Sequence, residues 1–228
     1  MNKATVFGAS GLTGNLLTHM LLQHPDFSEV KIAVRRPLNM HNEKLQQLVI
    51  DYNQLHAHTD LFSSDHIFCC LGTTMKKQKG NKATYTIVDK GYPVEIARQS
   101  ALHNCKSLHV MSSMGANENS MLFYARLKGE MQSDVIRTWK EKFTSAGLYI
   151  YQPGMLEGKR NESRTGESIG KIMMRIFNPI LKGPLKKYHS IKAADVARVM
   201  LHNSLHITAG LQILKNDELL DLAKKVQD

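Results

Sequence analysis

Cysteine is scarce in this sequence, and long apolar runs are missing from it. Three cysteines among 228 residues cannot build a disulfide scaffold. The adjacent thiols of Cys69 and Cys70 are typical of a reducing compartment, so we expect a cytoplasmic protein. The longest apolar stretches, such as residues 66–71, fall far short of the roughly 20 residues that a membrane-spanning helix needs. We therefore expect no membrane span, and the short apolar stretch before Gly8 does not resemble a signal peptide.

Acidic residues are outnumbered. The chain has 20 Asp and Glu against 30 Lys and Arg, which gives a formal net charge of +10. A basic balance can indicate nucleic acid, an anionic membrane surface or an anionic small ligand. The basic run at residues 76–82 contains no aromatic residue, whereas single-stranded nucleic-acid sites combine basic and aromatic side chains. We expect no nucleic-acid partner, and the run either attracts an anionic ligand or forms a solvated loop.

Metal-binding patterns are also missing. Of the eleven histidines, only His56 and His58 are closely spaced, and no cysteine or carboxylate accompanies them at a spacing typical of zinc sites. The sequence therefore predicts no metal site and surface positions for the histidines.

The order of the predicted elements indicates the fold. Hydrophobic residues make up 42% of the chain, which excludes intrinsic disorder. Short β-like runs alternate with helical patterns, which predicts an α/β fold: a doubly wound Rossmann domain with a mostly parallel sheet. We expect one NAD(P)-binding domain over residues 1–228, with a small irregular C-terminal region in which residues 155–190 form a substrate-side loop and helix. Strands are expected at residues 3–7, 29–34, 48–50, 66–70, 108–111, 148–152 and 211–214. Helices are expected from the first glycine turn to Pro25 and at residues 53–58, 84–104, 123–144, 172–181, 193–203 and 217–226, with a polar loop at 156–170.

A glycine-rich turn follows the first predicted strand. Gly8, Gly11 and Gly14 have the spacing Gly-x-x-Gly-x-x-Gly and lie directly before the first helix. In this context, glycines let the backbone approach a pyrophosphate, and the amides of the helix N-terminus bind its charge. The turn predicts a dinucleotide site that also includes Ser10, Leu12 and Thr13. The alternative is a turn that only lets the strand and helix pack closely.

Two arginines end the second predicted strand. NAD-preferring sites carry an acidic residue about here for the ribose 2′-hydroxyl, but this chain has Arg35 and Arg36. Guanidinium groups make bidentate, charge-assisted hydrogen bonds to phosphate, so the pair favours NADP, with NADPH preferred over NADH. The alternative is a pair of solvated arginines before Pro37.

A tyrosine and a lysine share one helix face. Lys128 lies four positions after Tyr124, so the two side chains share one face of a helix. The spacing alone carries little weight, because Tyr188 and Lys192 repeat it. The first pair follows the fifth predicted strand and Ser112, at the sheet edge where ligands bind in such folds. The alternatives are a packed tyrosine with a solvated lysine, or a retained site without activity.

With these motifs in place, the sequence resembles the atypical, extended-like branch of the short-chain dehydrogenase/reductase superfamily, and within it the Tat-interacting oxidoreductase family. The segments that carry the resemblance are Cys69–Thr74, Leu108–Ala116, Phe123–Glu130, Gln152–Leu156 and Glu162–Glu167. One departure is Gln152, where the family usually has arginine.

The resemblance implies roles for individual residues. Tyr124 would be the general acid, Lys128 would support it and hold the nicotinamide ribose, and Ser112 would bind the substrate oxygen. The further cofactor contacts that the resemblance implies are Asp51, with Tyr52, beside the adenine, Leu71, Gly72 and Thr73 near the centre of the cofactor, and Pro153, Gly154 and Met155 near the nicotinamide.

Two hypotheses for function follow. The first is an NADP-dependent oxidoreductase that transfers hydride to or from a small carbonyl or alcohol substrate. The second is a catalytically silent NADP(H)-binding regulatory module that contacts other proteins.

Overall fold

A seven-stranded sheet with helices on both faces and a separate two-stranded sheet form the described part of the chain. The computed structural model describes residues 1–73, 80–158 and 189–226. Its strands are β1 (Asn2–Phe7), β2 (Phe27–Val34), β3 (Leu45–Val49), β4 (His66–Cys69), β5 (Ser107–Met111), β6 (Gly147–Gln152), β7 (Leu156–Glu157), β8 (Ile191–Lys192) and β9 (Gly210–Lys215). Its α-helices are α1 (Leu12–Gln23), α2 (Lys82–Thr86), α3 (Tyr92–Leu102), α4 (Phe123–Trp139), α5 (Ala193–Leu205) and α6 (Asn216–Lys225). Shorter helical segments are the 3₁₀ turns Tyr52–Ala57, Thr59–Phe62 and Lys140–Lys142 and the π turn Ile87–Gly91. The helix expected at 172–181, most of the polar loop at 156–170 and the lysines at 76–79 lie outside the described residues.

The main sheet is parallel throughout. Its strand order is β3-β2-β1-β4-β5-β6-β9, and every neighbouring pair runs parallel. Phe7 at the end of β1 pairs with Ala33 of β2 on one side and Cys69 of β4 on the other. The chain moves outward in one direction through β2 and β3 and in the other through β4, so β1 and β4 flank the topological switch point. Ligands bind at this point in open α/β sheets. The doubly wound Rossmann fold is confirmed.

Two apolar clusters cover the two faces of the sheet. Alternate side chains of β4 enter different clusters, because successive residues of a strand point to opposite faces. Ile67 and Cys69 pack with α3 and α4, whereas Phe68 packs with α1, α5 and α6. Cys70 packs against the second of these clusters, so the adjacent thiols diverge, as their places on a strand predict.

Several predicted boundaries were wrong. The third strand begins at Leu45 rather than residue 48, and α4 ends at Trp139 because the last predicted turn forms a separate 3₁₀ segment. The helix expected at 84–104 begins at Lys82 and ends at Leu102, and a π turn at Ile87–Gly91 delays its longer regular part until Tyr92. The first two residues of the expected polar loop form β7, which pairs with β8.

The expectation that the histidines lie at the surface was also wrong for two of them. His66 and His109 are 1% and 0% exposed, and both point into the core on the face covered by α1 and α5. Nδ1 of His66 and Nε2 of His109 are both hydrogen-bonded to Ser107, which offsets part of the cost of burying the rings, whereas Nε2 of His66 has no partner among the described residues.

Candidate functional site at the carboxyl edge of the sheet

The glycine turn is packed so tightly that side chains are excluded from it. Gly8 has φ +89°, and a Cβ atom there would lie 2.6 Å from the carbonyl oxygen of Cys70. A Cβ on Gly14 would collide with the Gly8 carbonyl, which accepts a 2.9 Å hydrogen bond from the Gly11 amide. The turn therefore lies directly against the end of β4, and only glycine can occupy its closest positions.

The N-terminus of α1 is open to an anion. Its N-cap residue, Gly11, offers no side-chain acceptor, and the first turn contains no acidic residue. The amides of that turn therefore keep their affinity for negative charge. Ser10 and Gly11 are exposed, Leu12 is half-buried and Thr13 is 5% exposed. The residues present thus fit the pyrophosphate of a dinucleotide.

Beyond the turn, β2 and β3 end beside an aromatic pair. Arg35 and Arg36 follow β2 and are exposed, and neither forms a salt bridge with any carboxylate of the described residues. The rings of Tyr52 and Tyr92 lie 5.2 Å apart, and the Tyr52 hydroxyl donates to the Ala33 carbonyl at 2.8 Å. Burial and then the nearby charge of Asp51 raise the pKa of Tyr92, whereas the positive charge of Arg35 opposes this rise. Asp51 and Arg35 therefore lie near the same ring.

Ser112 lies in a chain of side-chain hydrogen bonds. It directly follows β5, and its hydroxyl accepts a hydrogen bond from the Gln132 side-chain amide on α4. The Gln132 side-chain carbonyl in turn accepts a 3.0 Å hydrogen bond from the side-chain amide of Gln152. Ser112 is 6% exposed and Gln132 7% exposed, so both are nearly closed off from water. Because Ser112 already accepts from Gln132, its own hydroxyl proton is available to another acceptor.

Tyr124 and Lys128 differ sharply in burial. Tyr124 is 45% exposed near the start of α4, and its phenol oxygen has no hydrogen-bond partner among the described residues. Lys128 is 3% exposed, and its Nζ lies 2.9 Å from Oδ1 of Asp89. The other carboxylate oxygen of Asp89 accepts a 2.9 Å hydrogen bond from the backbone amide of Thr73. The loop after β4 and helix α4 are thus joined through one buried carboxylate.

The loop after β6 is anchored by an asparagine that the sequence did not indicate. The Gly154 amide donates to Oδ1 of Asn216 at 2.7 Å, and Nδ2 of Asn216 donates to the His189 carbonyl at 2.8 Å. The amide of Met114 donates to the Pro153 carbonyl at 2.9 Å, which ties the loops after β5 and β6 together. Met155 is 41% exposed at the end of this loop.

Two of the thiols, Cys69 at the end of β4 and Cys105 before the start of β5, are buried. Burial raises the pKa of Cys69 to about 11 and that of Cys105 to about 12, so both thiols stay protonated at neutral pH. All three cysteines are free. Within residues 1–73, 80–158 and 189–226, no group of three metal-binding side chains occurs, and no helix is long and apolar enough to cross a membrane.

Comparisons with known proteins identify the family. No protein-family model matches the chain. The protein HTATIP2 of Rattus norvegicus is 31% identical over 224 residues, which cover 96% of this chain and 88% of that protein. The chain belongs to the Tat-interacting oxidoreductase family, within the atypical short-chain dehydrogenases/reductases.

More distant matches agree with this family and its fold. The mitochondrial protein FMP52 of Kluyveromyces lactis is 29% identical over 229 residues, which cover 97% of this chain and 99% of that protein. Among solved structures, MoeE5 in complex with UDP-glucose and NAD has a TM-score of 0.70 at 13% identity, over 98% of this chain and 81% of that chain. At this level of identity the likeness shows the Rossmann fold alone.

The structure places the site residues that the sequence predicted at one edge of the sheet, where the parallel strands have their carboxyl ends. All strands of the main sheet are parallel, so the segments that follow β1 to β6 meet at their carboxyl ends. Residues that sequence reasoning did not single out for the site are Asp89, Tyr92, Gln132 and Asn216. Each lies on a helix or helical turn and enters the site through packing, and no motif marks it. Gln152, the departure from the family pattern, contacts Gln132 rather than the loop that follows it.

Proposed function

We propose that the chain is an NADP-dependent oxidoreductase that transfers hydride between the nicotinamide and a small carbonyl or alcohol substrate. The observation that carries this proposal is the convergence of six strand ends at one edge, with the glycine turn at the β1/β4 switch point. Membership of a short-chain dehydrogenase/reductase family supports the same chemistry.

The ends of β1 and β2 support an NADP site. The turn that contains Gly8, Ser10, Gly11, Leu12, Thr13 and Gly14 would hold the pyrophosphate on the amides of α1. Arg35 and Arg36 are exposed and without carboxylate partners in the described residues, so their guanidinium groups are available to the 2′-phosphate. Asp51 with the Tyr52–Tyr92 pair would lie beside the adenine. The centre and nicotinamide half would contact Leu71, Gly72 and Thr73, and then Pro153, Gly154 and Met155.

The remaining residues would carry the proton chemistry. When bound, NADPH supplies the hydride for a carbonyl carbon. Tyr124 would give its phenol proton to the carbonyl oxygen as the alcohol forms, and solvent would return the proton, since the side chain is 45% exposed. Ser112 would donate a hydrogen bond to the same oxygen. Its hydroxyl oxygen already accepts from the Gln132 side-chain amide, so its proton is available to the substrate. Lys128 would contact the nicotinamide ribose one helical turn beyond Tyr124.

Two matched substitutions test the catalytic assignment. Tyr124→Phe should abolish NADPH-dependent carbonyl reduction while NADPH affinity, measured by quenching of nucleotide fluorescence, stays nearly unchanged. Ser112→Ala should lower turnover strongly, whereas Ser113→Ala serves as the control because the Ser113 hydroxyl has no partner among the described residues. Undiminished turnover in the Tyr124 variant would show that another group is the acid.

A specific observation favours a second candidate function. Met121 and Leu122, adjacent residues directly before α4, are 96% and 73% exposed, and contiguous exposed apolar surface is a feature of protein interaction sites. The chain would then be a catalytically silent NADP(H)-binding module with a protein partner. A screen of carbonyl compounds followed by NADPH absorbance separates the two, since a regulatory module consumes no NADPH with any of them.

We also propose that residues 1–228 form one domain, with 155–190 on the substrate side, and that the protein is cytoplasmic. The three free thiols support a reducing compartment, whereas the FMP52 relatives are named as mitochondrial proteins. Limited proteolysis tests the domain proposal, and fractionation of cells that express the chain at its natural level tests the location.

A further inference from the structure

The π turn between α2 and α3 buries a charged residue and exposes an apolar one. Asp89 is the one buried residue of Ile87–Gly91 and is 1% exposed, whereas the neighbouring Ile87 is 45% exposed. The hydrophobic effect alone would bury the isoleucine and expose the carboxylate. A π turn shifts the side chains of a helix relative to a regular α-helix, and such turns are frequent at functional sites. The turn therefore buries the Asp89 carboxylate at a cost in free energy. The contacts of this carboxylate show which groups it positions.

Both oxygens of the Asp89 carboxylate are used. Oδ1 lies 2.9 Å from Nζ of Lys128, and Oδ2 accepts a 2.9 Å hydrogen bond from the amide of Thr73. The side chains of Lys128 and Asp89 are 4% and 1% exposed, so the pair is screened very little by water. Salt bridges elsewhere on α3 and α4 are more accessible; Asp134, for example, pairs with Lys90 while its side chain is 23% exposed.

The two partners of Asp89 belong to different parts of the proposed cofactor site. Thr73 lies in the loop after β4, and Lys128 lies on α4, beyond β5 in the chain. A Cβ on Gly72 would lie only 3.8 Å from Oδ1 of Asp89, so the loop passes directly over the carboxylate. We propose that Asp89 is a positioning residue, which fixes the Lys128 ammonium and the Thr73 loop relative to each other for the nicotinamide half of the dinucleotide. This inference rests on the proposed function.

The charge balance gives the proposal a second consequence. With Asp89 in place, the buried Lys128 ammonium has a counter-charge and a fixed position. If Asp89 becomes neutral, Lys128 is left as an uncompensated buried cation, which is strongly destabilising. An asparagine has only one carbonyl oxygen, so it could accept from either the Thr73 amide or the Lys128 ammonium, but its NH₂ group would face the other donor. Neither partner would then keep its present position.

The test compares the affinity of the protein for NADPH with its affinity for adenosine 2′,5′-bisphosphate. NADPH contains both halves of the dinucleotide, whereas adenosine 2′,5′-bisphosphate lacks the nicotinamide half. We expect Asp89→Asn to weaken NADPH binding by about tenfold or more, as loss of a charged hydrogen bond predicts, and to leave adenosine 2′,5′-bisphosphate binding within about twofold. Calorimetric titration of the full chain measures both affinities without a known substrate. Asp134→Asn is the matched control, because it removes a carboxylate of α4 that pairs with Lys90, and it should change neither affinity.

A second variant covers the case in which Asp89→Asn folds poorly. Asp89→Asn combined with Lys128→Met removes both buried charges. This double variant should melt at a higher temperature than Asp89→Asn alone and should show the same selective loss of NADPH binding. Equal weakening of both ligands, or no weakening of either, overturns the positioning role while leaving the proposed function intact. Failure of the unaltered protein to bind NADPH overturns the proposed function itself.

Discussion

The phenol oxygen of Tyr151 lies 2.8 Å from Nδ1 of His109, and both side chains are closed off from water. Nδ2 of Asn203 donates to the same phenol oxygen at 3.1 Å. The Ser107 hydroxyl oxygen lies 2.8 Å from Nε2 of His109 and 2.8 Å from Nδ1 of His66, so it links the two rings. These hydrogen bonds join β6, β5 and β4, and burial lowers the pKa of both histidines in them.

This chain of hydrogen bonds predicts that stability depends on pH. Burial lowers the pKa of His66 from its ordinary value of 6.5 to about 4 and holds that of His109 well below its ordinary value. The unfolded chain takes up these protons near pH 6.5, whereas the folded protein does so only at lower pH. The stabilisation is therefore complete above about pH 7 and is lost as the pH falls toward 4. His66 alone accounts for about 3 kcal/mol of this loss.

Urea unfolding at several pH values between 7.5 and 4.5 measures the effect. His66→Asn keeps a polar atom near Ser107 but does not titrate, so its unfolding free energy should fall less steeply with acidification. His19→Gln is the control, because His19 is exposed and should leave the slope unchanged. An identical slope in the His66 variant would contradict the prediction.

A second prediction concerns the choice of cofactor. The double variant Arg35→Ala/Arg36→Ala should weaken NADPH binding by about tenfold or more, since it removes charged donors to the 2′-phosphate. NADH binding should stay roughly the same, because NADH has no such phosphate. Arg98→Ala is the control, since Arg98 is exposed on α3 and pairs with Glu95. Equal losses for NADPH and NADH would show that the arginines do not read the 2′-phosphate.

A third prediction concerns the glycine turn. Gly8→Ala introduces a side chain at φ +89° and forces its Cβ against the Cys70 carbonyl. Gly80→Ala is the matched control: its φ is +80°, but none of the described residues has an atom within 4 Å of the new Cβ. The control should lose only the cost of a left-handed backbone, about 1–2 kcal/mol.

Thermal melts and NADPH titrations separate the two glycine variants. Gly8→Ala should melt at a lower temperature than Gly80→Ala and should lose most of its NADPH affinity, because the β1–α1 turn must move. Similar melting temperatures and affinities for both variants would show that the close approach to Cys70 has no consequence for the site.

Much of the fold could be predicted from the sequence, because its signals are local. The alternation of apolar runs marks strands and helices, and the strand before Gly8 with the helix after Gly14 predicts the phosphate-binding turn. The boundaries of β3 and α4 were less predictable. The local sequence at Leu45 and Gln46 does not predict a strand, and these residues become part of β3 by pairing with Val30 and Lys31 of β2. The end of α4 at Trp139 depends on packing in the core.

The sequence by itself determined the order of the elements, the glycine turn and the residue types at the strand ends, because these depend on backbone sterics and periodicity along the chain. Only the tertiary structure decided which polar groups meet: Asp89 with Lys128, Gln132 with Ser112, and His109 with Tyr151. Strand order and helix packing, rather than any spacing along the chain, bring these distant residues within hydrogen-bond distance. Each pair is buried, so its members must find partners in the fold, since water is not there to provide them.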